Sequence, residues 1–222
     1  MLARLTGLVS VIVAATSGSF ARHEREALCD LALRVGPDAP TLCGEWTVRD
    51  LVVHLLIRER KPWAAGGILV PALSGLTERA SARLAARPFA ALVGDLRIPS
   101  LPLRAPGVDA VVNTLELFVH HEDVRRSQPS WAPRELSEAD QTALWRPLAM
   151  MGRALVRPAG VPVRIASGSR HTTLRGGEEP VVVSGPVGEL VLFLFGRQQV
   201  TGLAFDGPEA KVAKLRSARL GF

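Results

Sequence analysis

The chain has no tyrosine, two cysteines and almost no lysine, and each shortage excludes something. Cys29 and Cys43 are too few for a disulfide scaffold or a cysteine-rich metal cluster, so they read as two independent thiols suited to a reducing, cytoplasmic compartment. Of the 27 basic residues only Lys61, Lys211 and Lys214 are lysine, and the formal charge of +6 rests on scattered arginines. A nucleic-acid surface needs basic residues clustered with exposed aromatics. With the arginines dispersed, and most of them on what read as solvated helix positions, nucleic acid is not an expected partner. Also missing are a Gly-x-Ser-x-Gly elbow, a Walker-type phosphate loop and a dinucleotide fingerprint opening a strand-helix unit. Neither cysteine has a local histidine that would mark it as a nucleophile.

What remains is an ordinary globular composition, 47% hydrophobic over 222 residues, enough for one large domain or two modest ones. Leu5 to Ala15 is mostly apolar, follows Arg4 and precedes the small residues Thr16 to Ser19. That pattern suits either a short signal segment or an N-terminal extension over residues 1–18. No other stretch approaches the ~20 apolar residues that span a bilayer, so no membrane partner is expected.

Apolar residues at Phe20, Ala27, Leu28, Leu31 and Val35 recur at helical spacing and predict an amphipathic helix ending at Gly36-Pro37. Thr47 is placed as an N-cap with Asp50 three residues on, where a carboxylate can reach back to unpaired backbone donors. The second helix follows with Val48, Leu51, Val52 and Leu55 as its buried stripe, and His54 lies on the flank of that stripe. Leu73 to Arg87 predicts a third helix, and Pro99 to Pro106 a Pro-rich loop. Asp109 to Arg126 predicts a long helix whose first part is buried nearly all round. Ser137 to Arg153 predicts one more helix, disturbed at Pro147. The texture then changes to short strands, Val161 to Ala166, His171 to Leu174 and Val181 to Val183. A helix over Pro186 to Phe195, a strand over Val200 to Phe205 and a closing helix over Glu209 to Arg219 complete the pattern. The expected organisation is therefore α+β, with a helical bundle over 19–157 and a small α/β domain over 158–222, divided near Pro158.

Glu116 and His120 stand four residues apart, so they project from one face of the same helix. Either group among Val112, Phe118 and Val119 costs several kcal/mol of desolvation unless a partner or metal compensates it. The other histidine inside a long apolar stripe is His54. A set of two histidines and one carboxylate leaves a coordination position for water, thiolate or substrate, as catalytic metal sites do. The plainer alternative is a helix hydrogen bond between Glu116 and His120, with His54 a core residue. Asp123, one turn beyond His120, is placed to orient it from behind. His121 points ~100° away from His120, and His23 and His171 read as surface residues.

Two segments carry a resemblance. The first runs from Leu42-Cys43-Gly44-Glu45-Trp46-Thr47 through Asp50 to His54-Leu55, and the second is Glu116-Leu117-Phe118-Val119-His120-His121-Glu122-Asp123. Both resemble the actinobacterial family related to mycothiol-dependent maleylpyruvate isomerase, and Gly188 to Arg197 is similar to that family's small second domain. The resemblance implies a DinB-like metal-binding four-helix bundle followed by a sterol-carrier-protein-like α/β domain. It also implies a divalent metal, zinc by its His and carboxylate ligands, held by His54, Glu116 and His120. The thiol cofactor mycothiol would meet this metal in an isomerase or S-transferase acting on a small molecule. Arg197 becomes the candidate for an anionic substrate or cofactor group, with a surface salt bridge as its alternative. A metal-binding or ligand-sensing module without turnover is the second functional expectation.

Overall fold

The computed structural model describes residues 20–60, 81–100 and 108–221. The N-terminal extension, most of the Leu73 to Arg87 helix and most of the Pro-rich loop lie outside these residues. The chain divides into two compact units, residues 1–132 and 133–222.

In the first unit, helix α1 covers residues 20–35 and stops where Gly36 takes φ +89°, a left-handed conformation that glycine adopts without strain. The chain continues through a loop pinned by a bridge between Pro40 and Thr47. Helix α2, Val48–Arg60, begins on the anticipated cap. Asp50 Oδ2 accepts from the Thr47 backbone N–H at 3.0 Å and from its hydroxyl at 2.7 Å. Val53, Leu56 and Ile57 join Leu51, Val52 and Leu55 in the core, so α2 is buried more widely than a single stripe.

Residues 81–85 are helical, as the pattern predicts for the end of the third helix. Helix α3, Phe89–Arg97, was not anticipated: it has only nine residues, follows Pro88 directly and carries Gly94, so its periodicity is too short to stand out. It packs on α2 through Leu92, Val93 and Leu96. Arg49 ties the end of the 81–85 helix to α2 by donating to the carbonyls of Ala85 and Arg87. Helix α4, Val108–Arg126, completes the described part of the unit and contributes Leu117 and Val124 to its core. Arg25 and Arg126 are not solvated. Arg25 is fully buried, held by Glu59 at 2.8 Å and by the Leu96 carbonyl at 3.1 Å.

The second unit opens with α5, Glu138–Leu155, which runs through Pro147 and is capped by the Ser137 hydroxyl. A 3-10 turn, Arg157–Ala159, leads into a four-stranded mixed sheet ordered β2-β1-β3-β4. Strands β1, Val163–Ser167, and β2, Arg170–Arg175, form an antiparallel hairpin. Strand β3, Val181–Ser184, pairs parallel with β1, and β4, Ala204–Asp206, pairs antiparallel with β3. Helix α6, Val187–Leu194, is buried along its whole length between β3 and β4, and α7, Glu209–Ser217, closes the chain. The four strands and two helices expected here are all present.

The expected boundary near Pro158 falls after α5, inside the second compact unit. Helix α5, expected to close the bundle, packs on β2 and α6, and Gly152 lies so near Leu174 that an added Cβ would sit 2.7 Å from its Cδ2. Sequence texture changes where the strands begin, but the compact unit begins a helix earlier, at Pro133. The observed class is α+β, a helical unit and a small α/β unit. Among the described residues no helix is long and apolar enough to cross a membrane.

Candidate metal centre

Helices α2 and α4 bring His54, Glu116 and His120 together, and their donor atoms all lie within 4.8 Å of one another. Glu116 Oε1 stands 3.5 Å from His54 Nε2 and 3.5 Å from His120 Nε2. The two imidazoles meet edge to face with ring centroids 5.4 Å apart, and Trp46 packs on the far side of His54 at 5.0 Å. Side-chain exposures of 17% for His54 and 21% for Glu116, against 10% for His120, make the His54-Glu116 side the one solvent reaches.

A second cluster shares His120 through its other nitrogen. His120 Nδ1 lies 2.9 Å from Asp123 Oδ2, and the Cys43 thiol donates to the same oxygen at 3.0 Å. Cys43 Sγ is also 3.7 Å from His120 Nδ1. Both clusters offer three possible ligands, and separations distinguish them. Metal bonds of ~2.0–2.1 Å in tetrahedral geometry place donors ~3.4 Å apart, whereas hydrogen-bonded N and O sit at ~2.7–3.2 Å. The separations of His54 and His120 from Glu116 match the first spacing, and the contacts at Asp123 match the second. An ionised Asp123 only accepts, so it holds a proton on His120 Nδ1 and leaves Nε2 as the ring nitrogen that faces Glu116. The donor set therefore fits a divalent ion, and Asp123 stands behind it as expected.

Burial alone raises the Glu116 carboxyl, but the imidazoles of His120 and His54 and the charge of Arg58 outweigh it and hold the group well below the usual carboxylate range. Burial alone lowers His120, and its contacts with Asp123, Cys43 and Glu116 reverse that, so without an ion the imidazole holds its proton well above the ordinary value, and an ion entering at Nε2 would have to displace it.

The loop before α2 is fastened to α4 by the Leu42 N–H, which donates to the Asp123 carbonyl at 3.1 Å, and by Ser127, which donates to the Pro40 carbonyl at 2.6 Å. This places Cys43 beside His120, although the two are 77 residues apart. Sequence spacing had no means of finding that pairing. Both cysteines are free thiols, Cys29 buried and Cys43 partly exposed. Arg58 was also missed: its Nε lies 3.2 Å from Glu116 Oε1. Its signal was available, since it follows His54 by four residues on the same helix.

The other candidates separate cleanly. His121 pairs with buried Glu24 at 2.9 Å, away from the donor set, while His23 and His171 are exposed. Arg197 lies in the second unit, just beyond α6, and its Nη1 donates to the Phe195 carbonyl at 2.7 Å. The α6 terminus that carries it is tightly made. Gly196 takes φ +80° and an added Cβ would meet the Leu220 carbonyl oxygen at 2.6 Å.

No protein-family model and no curated protein matches the chain. Its fold is similar to the crystal structure of the mycothiol-dependent maleylpyruvate isomerase, with TM-score 0.58 and 15% identity over 87% of this chain and 92% of that one. A histidine-to-alanine mutant of the isomerase matches equally, with TM-score 0.58 and 16% identity over 86% and 91% of the two chains. At such identity the likeness shows the fold.

Proposed function

We propose that the protein is a metal-dependent enzyme that uses mycothiol to isomerise a small molecule or to transfer sulfur to it, with zinc as the metal. The observation that carries this reading is the convergence of His54, Glu116 and His120 on one point at metal-ligand separations, on the solvent-reached side of α2 and α4. A fold shared with a mycothiol-dependent isomerase over most of both chains supports the thiol part of the reading. The arrangement of the first unit as a DinB-like bundle and of the second as a sterol-carrier-like domain belongs to the same proposal.

His54 and His120 would hold the ion through Nε2 and Glu116 through Oε1, while Asp123 keeps the His120 proton on Nδ1. A bound divalent ion supplies a Lewis-acid position at which a thiol ionises near neutral pH. The protein's own part is to fix the three donors before the ligand arrives: α2 is held by the Thr47-Asp50 cap, and α4 by Leu42 and Ser127. Trp46 shields one face of His54. Arg197 is assigned to an anionic group of substrate or cofactor, where a guanidinium fork suits a carboxylate.

Elemental analysis of tag-free protein, set beside His54→Ala and Glu116→Ala, tests the metal. One equivalent in the wild type and loss in both variants is expected, and full metal retained in both would refute the site. Turnover that requires mycothiol tests the enzyme. Stoichiometric metal with thiol binding but no turnover on any candidate substrate would favour a sensing module instead.

A further inference from the structure

We propose that Arg58 and the metal compete for Glu116, so that Arg58 weakens metal binding by itself and couples it to the binding of an anion at the remaining coordination position. The inference rests on the metal reading above and concerns what regulates that site. Three observations carry it. Arg58 Nε touches Oε1 of Glu116 at 3.2 Å, the oxygen that both imidazoles face at 3.5 Å. The guanidinium is also held from behind: its Nη1 donates to Asn113 Oδ1 at 2.5 Å, and the fully buried Asn113 amide donates to Glu59 Oε1 at 3.2 Å. Glu59 in turn is paired with buried Arg25. Finally, the Arg58 side chain is 25% exposed, so it borders the donor set on the side that solvent reaches.

A permanent cation fixed against a metal ligand does two things. It stabilises the Glu116 carboxylate and holds it toward the histidines, and it repels a divalent ion that needs the same oxygen. An ion entering the site therefore places two cations, with three positive charges between them, around one carboxylate. An anion arriving at the fourth position relieves that repulsion and can take up Arg58 hydrogen bonds that Glu116 gives up. By linkage, such an anion tightens metal binding to the same degree that the metal tightens the anion. The ligand chemistry selected is negative: a thiolate, a carboxylate or a comparable small anion.

The test measures zinc affinity of the full chain with a chromophoric chelator at constant ionic strength. Azide serves as the anion and perchlorate as the background salt, with correction for azide bound to free zinc. Wild-type protein is expected to bind zinc several-fold tighter in azide. Arg58→Gln is expected to bind zinc on the order of tenfold tighter without azide and to lose most of the azide effect. Folded Arg58→Gln whose zinc affinity is equal to or weaker than wild type overturns the proposal. If that variant does not fold, Arg58→Met takes its place, and folded Arg58→Met that binds zinc no tighter than wild type, or that keeps the full azide effect, overturns the proposal. Wild-type protein that binds no zinc overturns the metal reading and this inference together, a result distinct from bound zinc that ignores Arg58.

Discussion

The two flanks of α4 bury charge in opposite styles. On one, Glu122 accepts from Arg125 and Arg126 at 2.6 Å each, Arg126 lies 4.6 Å over Trp131, and His121 is matched to Glu24. Ionic partners there meet in direct, hydrogen-bonded contact. On the other flank Glu116 faces two histidines and an arginine, mostly at distances too long for good hydrogen bonds and right for a shared ion. The first pattern is what structure requires of buried charge, because an ionised group taken from water must be matched. The second concentrates donors at one place and is what chemistry requires. Two adjacent residues, His120 and His121, fall on either side of this division.

The largest effect that can break the comparison is therefore on metal content. His120→Ala should weaken zinc by more than about a thousand-fold, beyond the ~10–100-fold typical of outer partners, and His121→Ala should leave one equivalent of zinc in place. Equilibrium dialysis with metal analysis reads both. Equal losses in the two variants would erase the distinction between the flanks. Next in size is a stability effect of opposite distribution. Glu122→Ala strands Arg126, whose side chain is 1% exposed, and should cost about 3–5 kcal/mol in chemical denaturation while zinc stoichiometry is unchanged. A loss of zinc without a loss of stability would reverse the assignment.

How much of this was legible in the sequence follows from the range over which each interaction acts. The Thr47-Asp50 cap, the Glu116-His120 spacing and the strands of the second unit depend on residues within a few positions of one another, and periodicity exposes them. His54 joined that pair only as the other histidine inside a long apolar stripe, and the flanking motifs supported it, since no spacing rule links α2 to α4. Cys43 was invisible as a partner of His120 because the contact is made by the folding of a loop onto α4. The burial of Arg25 gave no local sign for a related reason: Glu59, which pairs with it, lies 34 residues away along the chain. The expected boundary near Pro158 follows composition, which records where strands start, and α5 has the same texture as the helices before it.

A smaller perturbation sharpens the role of Asp123. Asp123→Asn keeps shape but can present an N–H where His120 Nδ1 needs an acceptor, which frees the imidazole to turn and removes a negative charge behind it. Zinc affinity should fall by about 10–100-fold, the range for outer partners of metal histidines. An unchanged affinity would mean that packing alone orients His120.

The smallest expected effect belongs to Cys43, and it decides between the two clusters that share His120. If the ion is held by His54, Glu116 and His120, Cys43 contributes only a weak S–H donor to Asp123, and Cys43→Ala should change zinc affinity by less than about threefold. If the ion instead sat between Cys43, His120 and Asp123, the same variant would remove a thiolate ligand and most of the affinity. Thiol labelling at pH 8 gives an independent reading. Cys29 is fully buried, and burial pushes its thiol up to about 11, so it should stay unlabelled. Cys43, partly exposed, should label in the protein stripped of metal. Because sulfur bound to zinc would be shielded, labelling of Cys43 that persists after one equivalent of zinc places the metal on the His54-Glu116 side of the imidazole. Protection of Cys43 by that zinc would move it to the other.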